Sequence, residues 1–223
     1  MNSDFWELWY KTFDRIVVPS IWATMRMVSF TILIGFVLGF AIAILLTLYS
    51  PNGLNPRKKV YKVLDFLVNT IRSFPILILI VAISPLTRII MGTTLGEKAV
   101  VLPLSIAATA FIARLLENNF REVDSQLIEA ARSFGATNMQ IIFSVIVKES
   151  IPSMISSVTL ATITYIAATT IAGAVGGGGL GAVALNYGYQ SFNNSILYTA
   201  VFILFLMVLV TQAIGNWLYK KFL

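Results

Sequence analysis

Two groups of residues in this chain have types and spacing that invite chemistry. Gly176, Gly177, Gly178 and Gly179, followed by Gly181, form a run that could cradle a phosphate. Thr159, Thr162, Thr164, Thr169 and Thr170 offer hydroxyls just upstream. A nucleotide-binding loop needs Lys followed by Ser or Thr after its glycines, whereas Leu180 and Gly181-Ala182 follow here. The glycine run therefore reads either as a flexible connection or as bare backbone that approaches a ligand or partner where it lines a cavity. The threonines read as close helix packing or as polar lining. Other catalytic classes fall away by composition. The chain has no cysteine and no histidine, which excludes disulfides, Cys/His metal sites, thiol nucleophiles and His-based triads.

The remaining polar feature is residues 123–152. Asp124 or Ser125 can cap a helix whose first N–H groups lack partners. That helix runs through Gln126-Leu-Ile-Glu-Ala-Ala-Arg-Ser-Phe134, and Gly135 supplies the left-handed residue that ends it. Thr137-Asn-Met-Gln140 has the form of a capping box and starts a second helix. A helix of about ten residues is marginal alone in water. Ala130 and Ala131 permit close approach, either to a groove on a partner or to the chain itself.

The elements that must carry these features are membrane-like. Of 223 residues, 57% are hydrophobic and only 12% charged, against about 25% charged in soluble domains. Five apolar segments approach or exceed the roughly 20 helical residues that cross hydrocarbon: about 18–49, 74–91, 99–116, 151–174 and 195–218. Ser50-Pro-Asn-Gly53 stops the first, and Phe74-Pro75 opens the second. No acid sits in the apolar centre of any segment, which removes paired-carboxylate catalysis within the membrane. The formal charge is +6, but the basic residues flank apolar segments and build no nucleic-acid face. Arg57, Lys58, Lys59, Lys62, Arg72, Arg114, Arg121, Arg132, Lys148, Lys220 and Lys221 fall on one side. Lys11, Arg15, Arg26, Arg88 and Lys98 fall on the other. Basic residues concentrate at the cytoplasm, so the N-terminus is expected outside and the C-terminus inside.

Residues 1–17 read as an interfacial helix with Trp6, Trp9, Tyr10 and Phe13 on one face. They do not read as a signal peptide, because Asp4 and Glu7 stand where a basic stretch belongs. Residues 18–219 form the membrane domain and 220–223 a cytoplasmic tail. Arg26, Arg88 and Arg114 near segment ends are expected to snorkel or pair with acids. Arg72 and Glu117 are placed to pair with each other.

The 129–152 stretch resembles the EAA motif of the membrane subunits of prokaryotic ABC importers, E-A-A-x3-G-x9-I-x-L-P. Glu129, Ala130, Ala131 and Gly135 match, and Val145 stands for the isoleucine. Val147 and Lys148 occupy the L-P positions, with Pro152 one turn later. Arg72-Ser-Phe-Pro75, Pro85-Leu-Thr-Arg88 with Gly92-Thr93, Phe111-Ile-Ala-Arg114, Gly173 to Gly181 and Asn186-Tyr-Gly-Tyr189 resemble the methionine-importer permeases over roughly residues 20–215. The resemblance implies an all-α integral membrane protein of five transmembrane helices with the type I importer permease fold. It implies a homodimer around a central pathway, two ATPase subunits below, and an extracytoplasmic substrate-binding protein above. Residues 125–136 would be the coupling helix, with Glu129, Ala130, Ala131, Arg132, Gly135 and Ala136 meeting the ATPase. Ile171, with Thr170 and Thr162, would gate or line the pathway. ATP and Mg would sit on the partner, with no cofactor on this chain. Other cargoes within the class are another amino acid or a small peptide. An ion-coupled carrier would more often show broken midplane helices, an inverted repeat and many more spans.

Overall fold

A computed structural model describes residues 13–223, which are helical with no strand among them. The expected interfacial helix over 1–17 therefore lies mostly outside the described residues. Its last part, Phe13–Val17, is a π-helical turn leading into α1, Val18–Tyr49. Helix α1 ends where Ser50-Pro-Asn-Gly53 turns back, with the Gly53 N–H donating to the Ser50 carbonyl at 3.0 Å.

Helix α2, Lys58–Ser73, was not expected. Its basic start reads as a loop, but Tyr61, Leu64, Val68 and Ile71 recur at helical spacing and pack on Leu46, Ala110 and Ala113. At Phe74 the backbone turns extended (φ −76°, ψ 129°), because the residue before a proline is pushed away from the helical region. The chain bends there by 102° into α3, Ile76–Ala82. The expectation of one helix over 74–91 is corrected. Helix α3 stops at Ile83 (φ −95°, ψ 9°), and α4, Ser84–Met91, follows. Pro85 has no N–H for the Val81 carbonyl four residues back, so the ladder breaks. Neither piece alone is long enough to span about 30 Å of hydrocarbon.

Helices α5 (Glu97–Arg121), α6 (Ser125–Ser133), α7 (Asn138–Ile141), a π turn (Ile142–Ile146) and α8 (Val147–Glu149) come next. Then follow α9 (Ile151–Ala174), α10 (Gly179–Ala182), a π stretch (Val183–Tyr189) and α11 (Asn194–Phe222). Four helical stretches, Phe13–Tyr49, Glu97–Arg121, Ile151–Ala174 and Asn194–Phe222, are long and apolar enough to cross a membrane; the bent pair α2 and α3 makes a fifth candidate. Large apolar residues stay exposed along α1 (Trp22, Phe30, Leu33, Val37) and α11 (Phe202, Phe205, Val210, Trp217). So much uncovered apolar surface is the mark of a lipid-facing or partner-facing exterior.

The chain packs as two compact units, and the four long helices contribute residues to both. One unit comprises 1–32, 75–105 and 162–211. Its core is Val17, Leu180, Val183, Ile196 and Ala200. Arg26 in α1 grips the Glu97 carboxylate at the start of α5 with bonds of 3.0 to 3.1 Å, the acid pairing expected for that arginine. The other unit comprises 33–74, 106–161 and 212–223. There Gly35 and Gly39 let α1 lie directly on α5. A Cβ at Gly35 would come within 2.7 Å of the Ala108 Cβ, and one at Gly39 within 2.9 Å of the Thr109 carbonyl. Small residues four apart are how membrane helices approach closely where apolar burial supplies no drive.

Candidate functional site

Helix α6 is built to stand off its own chain. The Asp124 carboxylate accepts from the Gln126 N–H at 2.9 Å and caps the first turn. At the other end Gly135 takes φ +78°, so its N–H reaches the Arg132 carbonyl (2.9 Å) and the Ala136 N–H reaches Ala131 (3.1 Å). The next helix starts on a complete capping box. Thr137 Oγ1 accepts from the Gln140 N–H at 3.4 Å, and Gln140 Oε1 accepts from the Thr137 N–H at 2.8 Å. No residue of α6 is buried. Phe134, at the turn, is 92% exposed, and Leu127 and Met139 are exposed beside it. Glu129 and Arg132 lie on the exposed surface and make no ion pair among the described residues. A helix held by caps while its apolar and charged side chains face outward is poorly explained by packing on its own chain.

The base of α6 is rigid. Arg121 is the last residue of α5, three residues before the Asp124 cap. Its guanidinium binds Glu117 at 2.5 Å and the Tyr61 hydroxyl at 2.7 Å. Glu117 is completely buried and also accepts from Arg114 at 2.7 Å. Arg114 in turn reaches Asp65 at 2.5 Å and Asn69 at 3.0 Å. Tyr61, Asp65 and Asn69 are i, i+4 and i+8 on α2, and they face Arg114, Glu117 and Arg121 on α5. The expected Arg72–Glu117 pair does not form. Arg72 points out at the end of α2, and Glu117 belongs to the arginines on its own helix.

Beyond α7 the helix breaks at Ser150 (φ −83°, ψ −2°) before α9. Pro152 lacks the N–H that the Lys148 carbonyl would take, the same defect that Pro85 makes after Ile83. The interruption of the helix ladder thus falls one turn after Lys148, which stands where the motif has proline.

The glycine run is a packed turn rather than a loose loop. Gly176, Gly178 and Gly179 take φ between +71° and +85°, a region open to glycine at no steric cost. The Gly177 N–H donates to the Ala172 carbonyl at 2.9 Å, and the Gly176 carbonyl accepts from Gly96 at 2.8 Å. The Leu180 N–H donates to Thr24 Oγ1 at 2.9 Å. Gly181 lies against the backbone of Thr170, so tightly that a Cβ would collide with it. Only Gly176 is open to the surroundings among Gly176 to Gly179; Gly177 and Gly179 are buried.

On α9 the Thr159, Thr169 and Thr170 hydroxyls donate to carbonyls of their own helix at 2.7 to 2.8 Å, which is how such residues are accommodated among apolar neighbours. Ser156, Leu160, Thr164, Ala167, Ile171 and Ala174 form one exposed stripe along α9. Ile171 is 43% exposed within it, and Thr162 and Thr170 are half-buried. The stripe carries no charge. No group of His, Cys, Asp or Glu among the described residues could hold a metal ion.

Comparison with known proteins fits this geometry. Residues 35–223 match the family described as "Binding-protein-dependent transport system inner membrane component". A probable D-methionine transport system permease protein MetI of Vibrio cholerae is 38% identical over 213 residues, covering 96% of this chain and 95% of that protein. The methionine import system permease protein MetP of Bacillus subtilis is 40% identical over 215 residues, covering 96% and 93%. A chain of the MetNI methionine ABC transporter, solved in inward-facing conformations, superposes with a TM-score of 0.91 at 34% identity and full coverage of both chains. The chain is a multi-pass membrane protein with the type I importer permease fold, and it belongs to the family of inner membrane components of binding-protein-dependent transport systems.

Proposed function

We propose that this chain is the permease subunit of an ATP-binding-cassette importer for methionine. It pairs with a second copy, two ATPase subunits and an extracytoplasmic binding protein. The observation that carries the reading is α6: capped at both ends, unburied along its length, and bearing the Glu129-Ala-Ala and Gly135 positions of the EAA motif. ATP and Mg belong to the partner, and this chain hydrolyses nothing. ATPase closure shifts α6, and the membrane helices rock so that the pathway opens outward and then inward. The uncharged stripe of α9, with Ile171 as the apolar constriction, suits a cargo whose side chain is apolar and whose own charges cancel. The proposed domain division is 1–17, 18–219 and 220–223, with the N-terminus outside.

The test is uptake of labelled methionine by proteoliposomes holding the chain with its ATPase, supplied with binding protein. Uptake should need ATP, and replacing Glu129 or Gly135 should cut it at least tenfold while membrane insertion persists. Normal uptake in both variants rejects the coupling assignment. Uptake without any ATPase identifies an uncoupled carrier instead. Failure of methionine alongside success of another amino acid or a small peptide changes the cargo and leaves the class.

A further inference from the structure

We infer that Asn119 and Tyr61 are positioning residues, which make a displacement of α6 pass to the membrane helices instead of being lost at the breaks beside it. The inference rests on the reading of α6 as the ATPase-docking helix and adds the route by which its movement leaves.

The segment that carries α6 is set off by two interruptions. Residues 122–124 separate α5 from α6, and Ser150 separates α8 from α9. Hinges form at a few loop or element-terminal residues. A push on α6 would be absorbed at these two places unless side chains bridge them.

Side chains do bridge them, and both bridges spring from the last turn of α5. On one side Asn119 Nδ2 donates to Ser157 Oγ at 2.8 Å, and the buried Ser150 Oγ donates to the Asn119 carbonyl at 3.3 Å. Ser150 and Ser157 lie about two turns apart, so Asn119 holds both the interruption and a point on α9 beyond it. On the other side the Arg121 guanidinium donates to the Tyr61 hydroxyl at 2.7 Å and lies over the Tyr61 ring, 6.0 Å from its centre. The Tyr61 hydroxyl donates to Glu117 Oε1 at 3.3 Å. Tyr61 stands in the first turn of α2, whose far end leads into the 102° bend. Asn119 and Arg121 point about 200° apart around α5, so this turn is held between α9 and α2. Neither the Tyr61 hydroxyl nor the Asn119 amide is needed to neutralise the buried Glu117, which two arginines already bind. What the two groups add is the register of three helices around the base of α6.

Proteoliposomes holding the assembled complex, supplied with binding protein, report methionine taken up per ATP hydrolysed. Tyr61→Phe and Asn119→Ala should each lower that ratio about fivefold, while the ATPase still co-purifies in native amount. Because the chain has no cysteine, the tie to α9 can be rebuilt. Asn119→Cys combined with Ser157→Cys should be as poorly coupled as Asn119→Ala. Its ratio should recover when a short bis-methanethiosulfonate bridges the two thiols, and fall again on reduction. A native ratio in both Tyr61→Phe and Asn119→Ala overturns the inference. A lowered ratio that bridging fails to restore overturns it as well, because the loss is then one of folding or of motion between α5 and α9. Loss of ATPase co-purification in these variants overturns it by making the ties part of docking itself. Glu129→Ala and Gly135→Ala, run alongside, test the underlying reading separately. Native uptake and native co-purification in both reject α6 as the docking helix, whatever the ties do.

Discussion

At the scale of single residues, Glu117 has the most demanding environment. It is a fully buried carboxylate that accepts from two arginines and a tyrosine, next to the point where α5 gives way to α6. With Arg114, Arg121 and Asp65 the formal charges cancel, so the cluster is stable only while all its members remain. Removing one partner of a buried ion pair typically costs about 3–5 kcal/mol, because the survivor stays buried and unpaired. Glu117→Ala should therefore lower the thermal midpoint in detergent far more than Arg72→Ala, which removes an exposed group without an ion-pair partner among the described residues. Arg114→Lys keeps the charge but loses the fork that bridges Asp65 and Glu117, so its loss should fall between those two. Equal midpoints for the Glu117 and Arg72 variants would show that the cluster contributes nothing. The pattern Arg114, Glu117, Arg121 is visible in the sequence at i, i+3 and i+7. The α2 face of Tyr61, Asp65 and Asn69 is also visible, but their meeting is a non-local fact. That is why sequence alone offered Arg72, the other basic residue beside the same apolar segments.

At the scale of elements, local rules were legible wherever they acted alone. Asp124, Gly135 and the Thr137–Gln140 box mark the limits of α6 and α7 because caps are short-range chemistry. The long apolar helices are equally plain, since hydropathy over some twenty residues needs no tertiary context. Helix α2 was hidden because its polar face and basic start outweigh its apolar stripe. The break at Ile83 was missed although Pro85 stands two residues on, because some membrane helices absorb a proline, as α5 does with Pro103. The glycines separate by mechanism in the same way. Gly135 has a positive φ but open space around it, so Gly135→Ala should cost only about 1 kcal/mol of backbone strain. Gly181→Ala drives a methyl into the Thr170 backbone, and overpacking of that kind costs about 1–3 kcal/mol, occasionally more. Thermal midpoints should rank native chain, Gly135→Ala and Gly181→Ala in falling order. The functional rank should reverse if α6 docks the ATPase, with Gly135→Ala losing more uptake per folded molecule than Gly181→Ala.

At the scale of the whole molecule, the remaining question is which side of the membrane each element faces, and it turns on the kinked α3–α4 segment. If residues 74–91 cross, the chain has an odd number of spans and its ends lie on opposite sides. If they fold back, the ends share a side. The distribution of basic residues favours crossing. Arg57, Lys58, Lys59 and Lys62 precede the segment, while Arg88 stands in its last turn and Lys98 follows it, and the positive-inside tendency counts such residues near segment ends. Arg26, on the sparse side, is already committed to Glu97. Helix α9 has 24 residues, about 36 Å at 1.5 Å each, which is enough to cross the hydrocarbon. Single cysteines in the cysteine-free chain make this measurable with a membrane-impermeant maleimide. Thr94→Cys and Gln190→Cys should label in intact cells. Asn52→Cys, Ser133→Cys and Leu223→Cys should label only after the membrane is opened. Labelling of Thr94→Cys from the inside, with Asn52→Cys also inside, would mean that the kinked segment re-enters rather than crosses. Labelling of Ser133→Cys in intact cells would invert the whole arrangement and put α6 beyond the reach of any cytoplasmic ATPase.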